Sequence, residues 1–346
     1  MILEKCFTKD WIKHARAMYH GTDPILIEKT IYAFELLFYL AESGHLFVFK
    51  GGTALLLHIK DAFRLSIDID IVGGMSVDVL NNIIKNSRFT QLNEDLRVPK
   101  GIPKRHFAFS FPSLFQQTNS YILLDILEVK NPYSQIVKKP IQHPLFEMNE
   151  TLSVSLPAIE GLLGDKLTAF APETIGISYG MNKSMEIMKQ LSDIGTLYDK
   201  SSNFSVFHSD FQSVYSIENK FRDSRFSYDD VLNDIINTSY LLCQMDLRGA
   251  TENTKTQELR EGIKKLKSHL LNTSFRLPDA KIAASRAAYL AAAVKYNLKS
   301  DPFEMRFSLE KIERLKDEII SGRFSIMNRL KSSLPEVFYY WYLISQ

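Results

Sequence analysis

Apolar positions recur along this chain with two different periods, and the change from one to the other divides it. Between residues 24 and 42, Ile27, Ile31, Phe34, Leu37, Phe38 and Ala41 repeat every three or four positions, which predicts a helix. Residues 8–19 read the same way. Leu46 to Phe49 is a short apolar run that predicts a buried strand, and Gly51-Gly52 predicts a turn into a helix over roughly 53–59. Arg64 to Val72 then alternates, with Ile67, Ile69 and Ile71 on one side and Ser66, Asp68 and Asp70 on the other. A helix over 75–87 would bury Val79, Leu80, Ile83 and Ile84. His106–Phe111 and Tyr121–Val129 predict strands, joined through the polar stretch 112–120. From Pro157 onward the helical period takes over. Ile159, Leu162, Leu163, Leu167 and Phe170 share one face, and Met185, Met188, Leu191, Ile194 and Tyr198 share another. Further helices are predicted over 227–246, 255–272, 278–297, 305–321 and 333–345. The expectation is an α+β protein, with a mixed-sheet lobe over 1–155 and a mainly helical lobe over 156–346.

Composition narrows the class without naming a chemistry. With 346 residues, the chain is long enough for two ordinary cores. Its 45% apolar and 24% charged content suits a globular protein rather than a disordered one. Net charge is +2, from 42 Lys+Arg against 40 Asp+Glu, so any basic surface must be local. Cys6 and Cys243 are too few for a disulfide framework. Glu4, Lys5, Lys9 and Asp10 interrupt any apolar leader, and no run reaches the ~20 apolar residues a bilayer span needs. A soluble, cytoplasmic protein without membrane partners is expected.

The chemistry concentrates between Lys50 and Val72. Asp68 and Asp70, two residues apart on a strand, point together, and paired carboxylates repel unless a positive charge lies between them. A hard divalent cation is the leading candidate. Asp125, an acid inside the apolar strand Tyr121–Val129, would be costly without a partner and is the candidate third ligand. A cross-strand salt bridge is the alternative explanation for it. The turn Gly51-Gly52-Thr53 would let backbone N–H groups and a helix N-terminus approach a phosphate. Magnesium bound by a few aspartates plus substrate phosphates is the pattern of phosphoryl and nucleotidyl transfer, in which two metals roughly 3.5–4 Å apart can clamp the reacting oxygens.

A glycine pair, a short helix and Asp-x-Asp on a strand resemble the nucleotidyltransferase fold of the DNA polymerase β superfamily. Four motifs in order narrow this resemblance: Lys50-Gly51-Gly52-Thr53, Arg64-x-Ser66-x-Asp68-x-Asp70, Asp165-Lys166-Leu167-x-Ala169 and Asp193-x-x-x-Leu197-Tyr198-Asp199. Together they look like the AbiEii/AbiGii family of nucleotidyltransferase-like toxins from type IV toxin–antitoxin and abortive-infection systems, over roughly residues 25–200. The resemblance implies a polymerase β-type lobe, NTP as substrate and two Mg²⁺ ions as cofactor. It implies Asp68 and Asp70 as metal ligands, Ser66 with the glycine turn as triphosphate holders, Lys166 reaching the phosphates, and Asp193 completing the site from the helical lobe. It also implies an RNA acceptor, the tRNA 3′ end, and a cognate antitoxin. Two departures stand out: Thr53 replaces a common serine, and Ser192 stands where the family tends to have Arg or Lys. Arg64 is either a triphosphate contact or a structural partner of the aspartates.

Two other readings share this fold: a nucleotidyltransferase acting on a small molecule or protein, and a non-catalytic regulator binding nucleic acid or a partner. Three basic runs offer an RNA surface: Arg97, Lys100, Lys104 and Arg105 with His106; Lys130, Lys138 and Lys139 with Tyr133; and Lys264, Lys265 and Lys267. Each is equally an ordinary solvated face.

Overall fold

The computed structural model describes residues 1–19, 22–59, 64–96, 102–271, 273–298 and 300–346. It divides into two compact units: Met1–Ala158 with Ser268–Ser274, and Ile159–Lys267 with Phe275–Gln346.

The first unit is built on a seven-stranded mixed sheet. Its strands are β1 (Val48–Lys50), β2 (Ile69–Val72), β3 (Gln91–Asp95), β4 (Lys104–Phe111), β5 (Ser120–Leu127), β6 (Ile136–Pro140) and β7 (Ser153–Pro157), in the spatial order β3-β4-β5-β2-β1-β7-β6. The pairs β2–β5 and β1–β7 are parallel; the others are antiparallel. Among the described residues the α-helices of this unit are α1 (Lys9–Met18), α2 (Pro24–Glu42), α3 (Gly51–His58) and α4 (Val77–Asn86). Alternation along the strands sends Phe49, Ile69, Ile71, Phe107, Phe109, Leu124 and Ile126 into one core with Ile31, Phe34 and Phe38 of α2. Each such side chain contributes roughly 1.5–3 kcal/mol by leaving water. The opposite face carries the polar residues of the same strands.

α2 is apolar nearly all round, as expected for a helix buried in a core, yet it includes two buried acids. Both have partners. Glu28 accepts bonds from the Ser113 hydroxyl and the Leu114 backbone N–H, each at 2.6 Å, and so pins the β4–β5 connection. Glu35 accepts a bond from the Ile2 backbone N–H at 3.3 Å and faces Arg88 at 3.8 Å.

The second unit is helical: α5 (Ile159–Ala169), α6 (Ser184–Lys200), α7 (Phe204–Lys220), α8 (Tyr228–Gln244), α9 (Thr254–Leu266), α10 (Leu277–Lys295), α11 (Leu309–Glu313) and α12 (Pro335–Ser345). The alanine-rich α10 is buried along its length, and its Ala283 packs where Gly195 of α6 leaves room. Arg286 of α10 ties the unit together. It donates to Glu336 at 2.8 Å, to the Gly195 carbonyl at 2.8 Å and to Asp199 at 2.9 Å. Among the described residues, no helix is long and apolar enough to cross a membrane.

Several expectations change. The expected strand 64–72 is regular only over Ile69–Val72; Arg64 instead forms an isolated bridge with Leu270. Leu46, expected in a buried strand, is 93% exposed, because β1 begins only at Val48. The expected helix 305–321 shrinks to α11, none of whose residues is buried; Ser308 caps it, and Lys311 ties it to the Glu304 and Arg306 carbonyls. Strands β6 and β7 and helix α7 were not expected.

Candidate nucleotide site

The site begins where β1 turns into α3. Lys50 is extended, and Gly51 then takes φ +79°, a left-handed conformation that favours glycine. Space imposes the same choice. A Cβ on Gly51 would lie 2.0 Å from Asp70 Oδ2, and one on Gly52 would lie 2.7 Å from Ser66 Oγ and 2.9 Å from an Arg64 guanidinium nitrogen. Gly51, Gly52, Arg64, Ser66 and Asp70 therefore meet at one point, although the sequence separates them by up to nineteen positions. Arg64 is buried there and donates to the Leu65 carbonyl at 3.2 Å. Thr53 has a different task from the expected phosphate contact. Its hydroxyl is fully buried and donates to the Asp68 carbonyl at 2.6 Å, fixing the chain as it enters β2.

Register then sets a row of ionisable side chains across five strands. Lys50 pairs with Asp70, Asp70 with Asp125, Asp125 with His106, and His106 with Asp95. All five are half-buried and lie on the polar face, and Asp68, also half-buried, immediately precedes β2. Asp125 is thus beside Asp70, as expected, but one of its oxygens has a partner. Its Oδ1 accepts from His106 Nδ1 at 2.7 Å. The cross-strand pairing considered for Asp125 is thus present, with His106 of β4 as the partner, and Glu128 has its own partner in Arg105 at 3.7 Å.

Among the described residues, no three His, Cys, Asp or Glu side chains are gathered closely enough to hold a metal ion, so the three aspartates do not form a ready-made cage. Carboxylates at Asp68 and Asp70 beside a glycine turn still suit Mg²⁺, which binds through one or two carboxylates and keeps its remaining positions for phosphates and water.

Lys166 and Asp193 lie in the second unit and find each other. Lys166 Nζ is 3.0 Å from Asp193 Oδ2, and both side chains are almost fully buried. Asp199 of the same motif binds Arg286, and Tyr198, buried, donates to the Pro302 carbonyl at 3.0 Å.

The basic runs fare unevenly. Arg97 and Lys100 lie outside the described residues. Arg105 is engaged by Glu94 at 2.9 Å and by the Met75 carbonyl. Tyr133 is buried and is not offered to a nucleobase. Lys265 pairs with Glu261. Two residues at the site were not anticipated. In the sequence His106 falls in a basic cluster, and only cross-strand register reveals its carboxylate. Lys29 of α2 was hidden in a helical pattern. Its ammonium lies 4.7 Å from the centre of the Tyr121 ring, and burial lowers its pKa against the attraction of Asp68 and Glu28.

A left-handed glycine turn opening a helix against an Asp-x-Asp strand, in a mixed sheet with a further acid on the next strand, is the arrangement expected of a nucleotidyltransferase lobe in an α+β protein. The family described as nucleotidyl transferase AbiEii toxin, type IV toxin–antitoxin system, matches residues 35–302, and the chain belongs to that family. No curated protein matches it. Among solved structures it is similar to JHP933 from Helicobacter pylori, at 13% identity and TM-score 0.39, over 85% of this chain and 95% of that one. It is also similar to a proposed nucleotidyltransferase from H. pylori, at 13% identity and TM-score 0.40, over 84% of this chain and 97% of that one.

Proposed function

We propose that this toxin-family nucleotidyltransferase moves a nucleoside monophosphate from an NTP to an RNA hydroxyl, the tRNA 3′ end being the favoured acceptor, and so blocks translation. The acceptor oxygen would attack the α-phosphorus as the bond to the β-phosphate breaks, releasing pyrophosphate and a proton. One observation carries the nucleotide half of this reading: Gly51 leaves the space that Asp70 Oδ2 occupies, so the anion-binding turn and the acidic pair are built against each other.

In this proposal the backbone N–H groups at Gly51 and Gly52 approach the triphosphate, and the Ser66 hydroxyl donates to it. Arg64 offsets its negative charge, and Thr53 holds the Asp68 backbone in place. Asp68 and Asp70, with Asp125, would hold Mg²⁺, which when bound neutralises the carboxylates and stabilises charge developing on the phosphates. The RNA acceptor rests on family membership. Tyr121, 48% exposed on the polar face with Lys29 at its ring, is the side chain best suited to an unstacked base. A cognate antitoxin is the expected protein partner.

The test is to incubate the protein with each α-labelled NTP and Mg²⁺, together with bulk tRNA or with a protein extract. Label in the tRNA supports the proposal. Label confined to protein or a small molecule would move the acceptor to another class.

A further inference from the structure

The geometry points to His106 as a positioning residue for nucleotidyl transfer, acting through Asp125. This rests on the reading above and extends it by one residue. Asp125 stands in register between Asp70 on β2 and His106 on β4. A carboxylate at this place has two neighbours to serve, and its free rotation about χ2 leaves open which oxygen serves which. The 2.7 Å contact to His106 Nδ1 removes that freedom. Facing a carboxylate, Nδ1 carries the proton and donates, so Oδ1 is held on the β4 side and Oδ2 is left for the Asp70 side. The alternation of β4 holds His106 in turn, because Phe107 and Phe109 on either side of Ala108 are buried in the core. His106 and Asp125 remain 36% and 40% exposed, so the pair faces the open side of the sheet rather than the core. A pair serving only stability would gain little at that exposure. As a device for orienting a carboxylate beside a charged ligand it is well placed, since hydrogen bonds of this kind orient metal-binding groups and their loss costs about 10–100-fold in affinity or activity.

Two substitutions separate this role from a general one. His106→Asn keeps an N–H donor near the place of Nδ1 and lacks Nε2; His106→Ala keeps neither. In the full-length protein, His106→Ala is expected to lower kcat/KM about 10–100-fold and to raise the Mg²⁺ concentration needed for binding of an α,β-methylene NTP in calorimetry. His106→Asn is expected to recover most of both, with thermal midpoints of the two variants alike. Wild-type Mg²⁺ dependence and turnover in His106→Ala would overturn the proposal. So would a His106→Asn variant as impaired as His106→Ala, since the imidazole would then act through something other than its bond to Asp125. If the wild type neither transfers nucleotides nor binds them with Mg²⁺, the underlying reading falls, and this inference with it.

Discussion

Gly51 shows how narrowly single residues are constrained at the site. Its φ of +79° costs other residues roughly 1–2 kcal/mol, and any Cβ there would displace the Asp70 carboxylate. Gly51→Ala should therefore destabilise the protein by more than this backbone strain, and by less in an Asp70→Ala background, where only the Cβ of residue 70, 3.1 Å away, remains to be met. Urea unfolding of the four proteins of that cycle checks it, and equal costs in both backgrounds would show that the two residues do not meet. Most of this corner was legible in the sequence, because alternation puts Ser66, Asp68 and Asp70 on one face and a glycine pair marks a turn. Thr53, His106 and Lys29 were not. A hydroxyl beside a phosphate-binding turn reads the same whether it faces the ligand or a backbone carbonyl. The bond from His106 to Asp125 depends on the register of two strands joined by an eight-residue connection, which local pattern does not determine.

Among the elements, α5 and α6 are joined by the pair Lys166–Asp193, two charges taken almost wholly out of water. Removing one partner leaves the other buried without it, which typically costs 3–5 kcal/mol, whereas replacing both by apolar residues is often neutral or better. Lys166→Ala should thus lower the unfolding free energy by several kcal/mol, and Lys166→Met with Asp193→Leu should restore it. Denaturant titration checks this, and a stable Lys166→Ala protein would contradict it. The consequence for function is direct. Loss of activity in Lys166→Ala alone says nothing about phosphate contact, and the stable double variant is the one to assay. The same scale explains the elements that pattern missed. α7, with four serines and several aromatic and β-branched residues, has weak intrinsic helix propensity, and its burial of Phe207, Phe211 and Val214 decides the outcome. β6 and β7 are five-residue strands among prolines, specified by pairing with each other and with β1.

For the molecule as a whole, stability should carry a signature from Glu35. Burial pushes its carboxyl up to about 7, against the bond from the Ile2 N–H and the charge of Arg88. The folded state then binds a proton that the unfolded state has released, so this contribution to stability is full below about pH 4.5 and is lost as pH rises to about 7. His143, buried and lowered to about 4, acts in the opposite sense between about pH 4 and 6.5. Comparing wild type with Glu35→Gln removes the His143 effect. The variant should gain on the wild type by up to about 3 kcal/mol between pH 5 and 8, and a constant difference across that range would contradict the assignment. The two-part organisation was visible in the sequence as a change of hydrophobic period. Which acids would be buried in the first unit was not, because Glu28 and Glu35 lie on a helix whose apolar surface is continuous.

Whether Asp68 and Asp70 carry the proposed nucleotidyl transfer is decided by incorporation of α-labelled NTP into bulk tRNA by wild type and by Asp68→Ala, with far-UV circular dichroism and thermal midpoints confirming that both are folded. Mg²⁺-dependent labelling is expected from the wild type and none from the variant. Labelling at the wild-type rate by folded Asp68→Ala would contradict the proposal.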